Sequence, residues 1–389
     1  MSRAPLSVWI VCGEESGDQL GAGLAAALRG RLGDGGVRFG GVGGARLERE
    51  GLRSLFPLAD IAVMGFVEPL LRLPTLIRRV RQTVDAIVAA RPDVLVIIDS
   101  PDFTHAVARR VRRRLPRLPV VNYVSPSVWA WRPGRARRMA AYVDHVLALL
   151  PFEPEAHRRL GGPPCAYVGH PLVEKRALLR GDRPLDHALA RPPVLLALPG
   201  SRTSEVTRLL DIFGETVGRL QRAGLQFTLK LPAAPHQEAR IRAGVAGWPV
   251  QPELVSGEEA KLAAFRSADA ALAASGTVSL ELALAGVPMV VAYRVSALEA
   301  AILRRLVTAP SAVLPNLILG ENAIPEFLQE DCTAEKLAAA LGPLLADTPQ
   351  RRAQLAAFAT IDTRMDTGGE TPSQRAARIV LAAARGAGA

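Results

Sequence analysis

The 389 residues suffice for two to three domains. A content of 49% hydrophobic and 22% charged residues excludes long disorder and describes a globular chain with a sizeable core. Three cysteines, Cys12, Cys165 and Cys332, are odd in number and far apart, which excludes a disulfide framework or a cysteine zinc cluster and suggests a reducing compartment. The 48 Lys and Arg exceed the 37 Asp and Glu, for a net charge of +11, and almost every cation is Arg; Lys stands only at Lys175, Lys230, Lys261 and Lys336. Residues 1–170 hold 24 of the basic and 15 of the acidic side chains, so the first half is expected to face something anionic: nucleic acid, a phosphorylated substrate or a membrane surface.

The opening apolar run meets Gly13-Glu14-Glu15 too soon for a signal peptide. Candidate strands follow in chain order at 7–11, 37–42, 94–98, 120–124 and 146–149, then, after a break, at 194–198, 227–231, 270–273 and 289–292. Helical periodicity fills the intervals, as at 17–31, 76–90 and 206–221. Alternation of this kind predicts an α/β protein with doubly wound parallel sheets. The Gly- and Pro-rich break at 171–192 divides it into a first domain over 1–175 and a second over 190–365. After about 333 the pattern is helical only, and the last helix, within 366–389, is expected to pack back onto the first domain. Two such domains would face a cleft, with ligands outside the carboxyl ends of the strands. The apolar stretch 270–293 is broken by Ser275, Gly276, Thr277, Glu281 and Pro288 and reads as buried core, not a membrane span.

The loops after the strands carry the chemistry. Gly13-Glu14-Glu15-Ser16-Gly17-Asp18 is a strand–loop–helix turn; Ser16 or Asp18 can cap the helix, or the carboxylates can hold sugar hydroxyls, whereas three acids would repel a pyrophosphate. Asp99 stands at the tip of the next strand, where a partly desolvated carboxylate can act as a general base, while Pro101 and Asp102 open the following helix. The segment 123–132 gathers Tyr123, Trp129 and Trp131, either as a surface for stacking on a sugar or base or as an apolar plug. Leu198-Pro199-Gly200-Ser201-Arg202, before a helix capped at Ser204, combines backbone N–H groups, a helix start and a guanidinium, a set that can hold a phosphate. Ser275-Gly276-Thr277 repeats the loop–helix arrangement, and Glu281, one turn on, can accept both hydroxyls of a ribose. Asn316 lies in a further loop, before Gln329. Residues 63–77, including Met64, Phe66, Val67, Leu70, Leu71 and Leu73, are more apolar than a surface loop needs and lead into Arg78, Arg79 and Arg81; an apolar wedge with a basic rim suits an anionic membrane, and a core helix with a solvated face is the alternative. There is no D-x-D and no histidine pair at ligand spacing, so no metal is expected.

GEESGD, VMGFVE, DSPDF, NYVSPSVWAWR, LPFE, VGHPL, LPGSR, ASGTVSLE, PMVVAYR, LPNLILG and PEFLQE occur in this order between about 7 and 345. The chain thereby resembles the lipid-A-disaccharide synthase family. The resemblance implies a GT-B glycosyltransferase of two Rossmann-like domains, inverting, needing neither metal nor cofactor, peripheral to the cytoplasmic face of the inner membrane. It implies UDP-2,3-diacylglucosamine as donor and 2,3-diacylglucosamine 1-phosphate as acceptor. In this reading Asp99 is the base, with Glu15 in reserve. Gly13, Ser16 and Trp129 belong to substrate binding, as do Gly200, Ser201, Arg202, Ser275, Gly276, Thr277, Glu281, Asn316 and Gln329, and the apolar residues 64–73 take acyl chains. A homodimer exchanging C-terminal segments is compatible with terminal helices that have no sheet of their own. A GT-B enzyme acting on UDP-N-acetylglucosamine would share the phosphate loops without the apolar segment. A nucleic-acid binder would need basic-aromatic modules or a recognition helix, which the chain lacks, so no nucleic acid is expected.

Overall fold

In a computed structural model, residues 4–61 and 73–386 are described. The chain divides into two units, one of residues 1–170 with 367–389, the other of residues 171–366.

The first unit is built on a seven-stranded, wholly parallel sheet in the order β3-β2-β1-β4-β5-β6-β7. Its strands are β1 (Leu6–Cys12), β2 (Val37–Val42), β3 (Arg53–Ser54), β4 (Val94–Ile98), β5 (Val120–Tyr123), β6 (His145–Ala148) and β7 (Cys165–Tyr167). Strand β4 shows why the sheet is covered on both sides. Its five residues are all buried, and alternate side chains enter opposite cores because the strand repeat is two residues. Val94, Val96 and Ile98 pack with Leu24 and Leu28 of the helix Glu15–Leu32 and with Ala376, Ala377 and Val380 of the terminal helix Pro372–Ala384. Leu95 and Ile97 face the helices Leu73–Ala90 and Pro101–Arg114 through Val84, Ile87, Val107 and Val111. The last helix therefore covers the first sheet of its own chain, entered through a Thr371–Gln374 capping box.

The second unit repeats the plan with six parallel strands in the order β10-β9-β8-β11-β12-β13. These are β8 (Val194–Leu198), β9 (Thr228–Ala233), β10 (Glu253–Ser256), β11 (Ala270–Ala274), β12 (Met289–Tyr293) and β13 (Glu326–Leu328). Chain order reverses between β8 and β11, the point where such sheets open a crevice at their carboxyl edge. Residues after Pro171 are tied into this unit. Arg180 forms a two-pronged ion pair with Asp362 at 2.7 and 3.2 Å, and Arg183 donates at 2.6 Å to Asp269, which is wholly buried and also accepts from the Val194 N–H. Buried carboxylates need such partners.

The strands absent from the sequence reading are β3, β7, β10 and β13. Each lies at or beside a sheet edge and is two to four residues long. No helix among the described residues is long and apolar enough to cross a membrane.

Candidate active site

The loops after β1, β4 and β5 meet at the carboxyl edge of the first sheet. Gly13 makes this possible: a Cβ there would lie 2.2 Å from Cβ of Ser100. The approach brings the Ser16 hydroxyl to Asp99, where it donates to Oδ2 at 3.2 Å, while Asp99 Oδ1 accepts from the Ser100 N–H at 2.8 Å. Asp99, Ser100 and Val124 all have left-handed backbones, with φ of 53°, 42° and 74°. Such conformations persist only where surrounding contacts impose them, and they concentrate at functional sites. Here Asp99 is held by its N–H to the Tyr123 carbonyl and by the Thr104 hydroxyl donating to its own carbonyl at 2.7 Å. Asp99 is half-buried, and Glu15 is exposed on the first turn of its helix. The Gly13→Ala chain should lose roughly 1–3 kcal/mol of stability, because the rigid, left-handed Ser100 backbone must yield; urea unfolding measures it, and an unchanged midpoint would contradict the close packing.

Three expected roles are corrected here. Asp18 caps neither its own helix nor a ligand: its carboxylate is buried and accepts from the N–H groups of Gly44, Arg46 and Leu47 at 2.7–3.2 Å, starting the short helix Ala45–Arg49. The Thr203–Arg222 helix is not capped by Ser204; Arg202 holds the cap position. The Trp129 ring takes the plug alternative. Its Nε1 donates to Glu153 at 3.1 Å and its ring meets Phe152 edge-on, centroids 5.1 Å apart. The 124–132 segment is irregular, which separates the two indoles: Trp131 is exposed and carries Arg132 over its face at 4.3 Å.

Glu153 is itself notable. It is 3% exposed and accepts from Trp129 and the Leu150 N–H, yet burial pushes its carboxyl up to about 7. The folded chain thus keeps the proton that the unfolded chain releases near its ordinary value, so this group's contribution to stability declines as pH rises from about 4.5 through about 7. His105 works in the opposite sense: burial, then the nearby Arg135, lowers it to about 4, and stability falls as pH drops from about 6.5 toward that value. The Glu153→Gln chain should lose the first slope and keep the second in a melting series over pH 4–8; an unchanged slope would contradict the assignment.

In the second unit the crevice at the β8–β11 switch point is a cavity of about 640 Å³. Its walls bring together Gly200, Ser201 and Arg202 after β8, Ser275, Gly276, Thr277 and Glu281 after β11, and Pro232–Pro235 at the end of β9. Gly200 has φ of +108°, a conformation that an L side chain rarely adopts. Gly276 and Thr277 open the helix Thr277–Ala285, presenting the positive end of its dipole and its unbonded first N–H groups.

Lys261 and Glu205 also line the crevice, and neither was singled out from the sequence. Lys261 projects from the helix Glu258–Ser267 and meets both carboxylate oxygens of Glu281 at 3.0 and 3.2 Å. A cation and a carboxylate therefore stand side by side in the crevice, suited to a phosphate and to vicinal hydroxyls. Glu205 Oε2 accepts from the N–H groups of Ser201 and Arg202, both at 3.2 Å, so a carboxylate already occupies the loop donors that suit an anion. The rarity of Lys in this chain was the one signal for Lys261; nothing in the local pattern marked Glu205.

Asn316 and Gln329 do not line this cavity. Asn316 is 2% exposed, and its amide bridges both backbone groups of Ile324 at 2.9 Å, bracing the loop from inside. The Gln329 amide, oriented to satisfy both its atoms, exchanges hydrogen bonds with the backbone of Val295 at 3.1 and 3.3 Å. Met64, Phe66, Val67, Leu70 and Leu71 lie outside the described residues; Leu73 begins the Leu73–Ala90 helix and is exposed. Among the described residues, no three His, Cys, Asp or Glu side chains are grouped to hold a metal ion.

Two parallel doubly wound units, with their loops at the carboxyl edges and an anion-suited crevice in the second, define the GT-B class of glycosyltransferase folds. The kitacinnamycin glycotransferase has the same fold at a TM-score of 0.63, with 17% identity over 98% of this chain and 100% of that one. The Methanocaldococcus jannaschii UDP-GlcNAc 2-epimerase, solved with UDP-GlcNAc and UDP, gives a TM-score of 0.57 at 13% identity, covering 97% and 98% of the two chains. The particular family follows from sequence. The chain belongs to the lipid-A-disaccharide synthase family: the profile described as Lipid-A-disaccharide synthetase matches residues 8–380, and the lipid-A-disaccharide synthase of Bradyrhizobium diazoefficiens is 58% identical over 97% of this chain and 96% of its own. It is a glycosyltransferase of lipid A disaccharide synthesis.

Proposed function

We propose that the chain joins the diacylglucosaminyl group of UDP-2,3-diacylglucosamine to the 6-hydroxyl of 2,3-diacylglucosamine 1-phosphate, with inversion to a β-1,6 linkage and release of UDP. The observation that carries the donor half is the crevice in which Arg202, Lys261, Glu281 and the start of the Thr277–Ala285 helix converge. Arg202, Lys261 and the helix start meet the diphosphate, whose charge grows as the glycosidic bond breaks. Glu281 takes the ribose hydroxyls, steadied by Lys261. In the first unit Asp99, oriented by Ser16 and the Ser100 N–H, takes the proton of the acceptor hydroxyl as its oxygen attacks the anomeric carbon. Glu15 is the reserve base. No step draws on a metal or cofactor. The net positive first unit and the apolar residues around 64–73 support residence on the cytoplasmic face of the inner membrane.

The test is a radiolabel assay of the purified chain with both lipids in detergent micelles and EDTA present. Equal amounts of UDP and disaccharide are expected. UDP without disaccharide would remove the acceptor from the account, and no turnover by the folded protein would overturn it.

A further inference from the structure

The helix Ala297–Leu306, which follows β12, is apolar and almost wholly uncovered. Of its ten residues only Ala300 is buried. Leu298 is 73% exposed, Ile302 48%, Leu306 46% and Leu303 40%, and Val307, just beyond the helix, is 42% exposed. Leu298, Ile302 and Leu306 are spaced by four and so share one face. A contiguous aliphatic face of this kind marks an interaction surface, unlike single exposed leucines.

Its rim is basic. Arg294, Arg304 and Arg305 are exposed around it, Arg304 in a surface ion pair with Glu330. The one acid within the helix, Glu299, is spent on its own N-terminus, accepting from the N–H of Ser296 at 2.9 Å and from its hydroxyl at 2.7 Å. The helix also stands beside the crevice. Glu299 lies 3.7 Å from Arg208, on the helix that begins just after Arg202. The chain beyond it is joined to the second phosphate-type loop where the Ser275 hydroxyl donates to the Ala312 carbonyl at 2.7 Å.

We propose that this helix is a membrane-contact element of the second unit, its leucine face entering an anionic bilayer and its arginines meeting the headgroups. The proposal rests on the reading of a lipid-linked donor: a diacylated sugar whose nucleotide is held in the crevice would have its acyl chains beside an apolar surface continuous with the bilayer. A second copy of the chain fits less well, because a helix about 15 Å long offers far less than the roughly 800 Å² per partner of a stable interface. Basic-rimmed aliphatic helices lie in the headgroup boundary in this way.

The test uses the full chain and phosphatidylcholine vesicles with or without phosphatidylglycerol. An environment-sensitive dye on an Ile302→Cys chain should shift to the blue with the anionic vesicles and much less with the neutral ones. Leu298→Ser, Ile302→Ser and Leu306→Ser together should weaken vesicle binding about tenfold or more and leave UDP binding unchanged, which also shows that the unit remains folded. A dye that stays in water while the chain sediments with vesicles would overturn the proposal, as would undiminished binding by the triple variant. A blue shift on concentrating the protein without lipid would overturn it too, by assigning the face to a second copy. Failure of the donor reading itself would be seen separately, as absence of disaccharide in the micelle assay.

Discussion

Asp99→Asn is expected to fold, to bind UDP as the unsubstituted chain does, and to lose about 10²- to 10⁴-fold in kcat, the usual contribution of a positioned general base. Asparagine keeps one oxygen to accept from the Ser100 N–H, and its amide nitrogen, in place of the second oxygen, can donate to the Ser16 hydroxyl oxygen, so the left-handed 99–100 backbone keeps its support. Only the capacity to take a proton goes. Steady-state turnover in micelles, with circular dichroism as the control for folding, measures this. Near-normal kcat would remove Asp99 from the base role and pass it to Glu15, which is exposed at the start of the neighbouring helix.

Arg202→Ala should be the second large effect, about 10²- to 10³-fold in kcat/KM, as when a donor aimed at developing negative charge is removed. The Arg202 side chain is 78% exposed and its contact with Glu205 is long, 3.5 Å. That surface pair contributes little to folding, so the guanidinium is available to an incoming diphosphate. Arg202→Lys should recover part of the loss, since it restores charge without the planar fork. Kinetics at varied donor concentration tests both variants. Equal kcat/KM for Arg202→Ala and the unsubstituted chain would contradict the assignment of the crevice.

The two sheets were legible because their central strands are continuous apolar runs. β4 and β11 are buried on both faces, and burial writes itself into composition. The edge strands were not legible, since Arg53–Ser54 or Glu326–Leu328 needs no such run to add to an existing edge. The position of the strand-tip residues could be read for a related reason: a loop between a buried strand and a helix start has one place to go, the carboxyl edge. Asp99, Arg202 and Gly276 were placed at that edge in this way. Lys261 and Glu281 lie 20 positions apart on different helices and meet only through packing. Asn316 was misleading because a buried loop needs an amide to satisfy its backbone, and that need resembles a ligand-binding residue in one dimension. Trp129 was ambiguous until the irregular loop separated it from Trp131.

The measurement that tests the division of labour most directly is a calorimetric titration of UDP into the full chain, the Asp99→Asn chain and the Arg202→Ala chain. The account predicts the same dissociation constant for the first two and one at least about tenfold weaker for the third, because the nucleotide belongs to the second unit and the proton transfer to the first. Equal affinity in all three, or loss of UDP binding in Asp99→Asn, would contradict it.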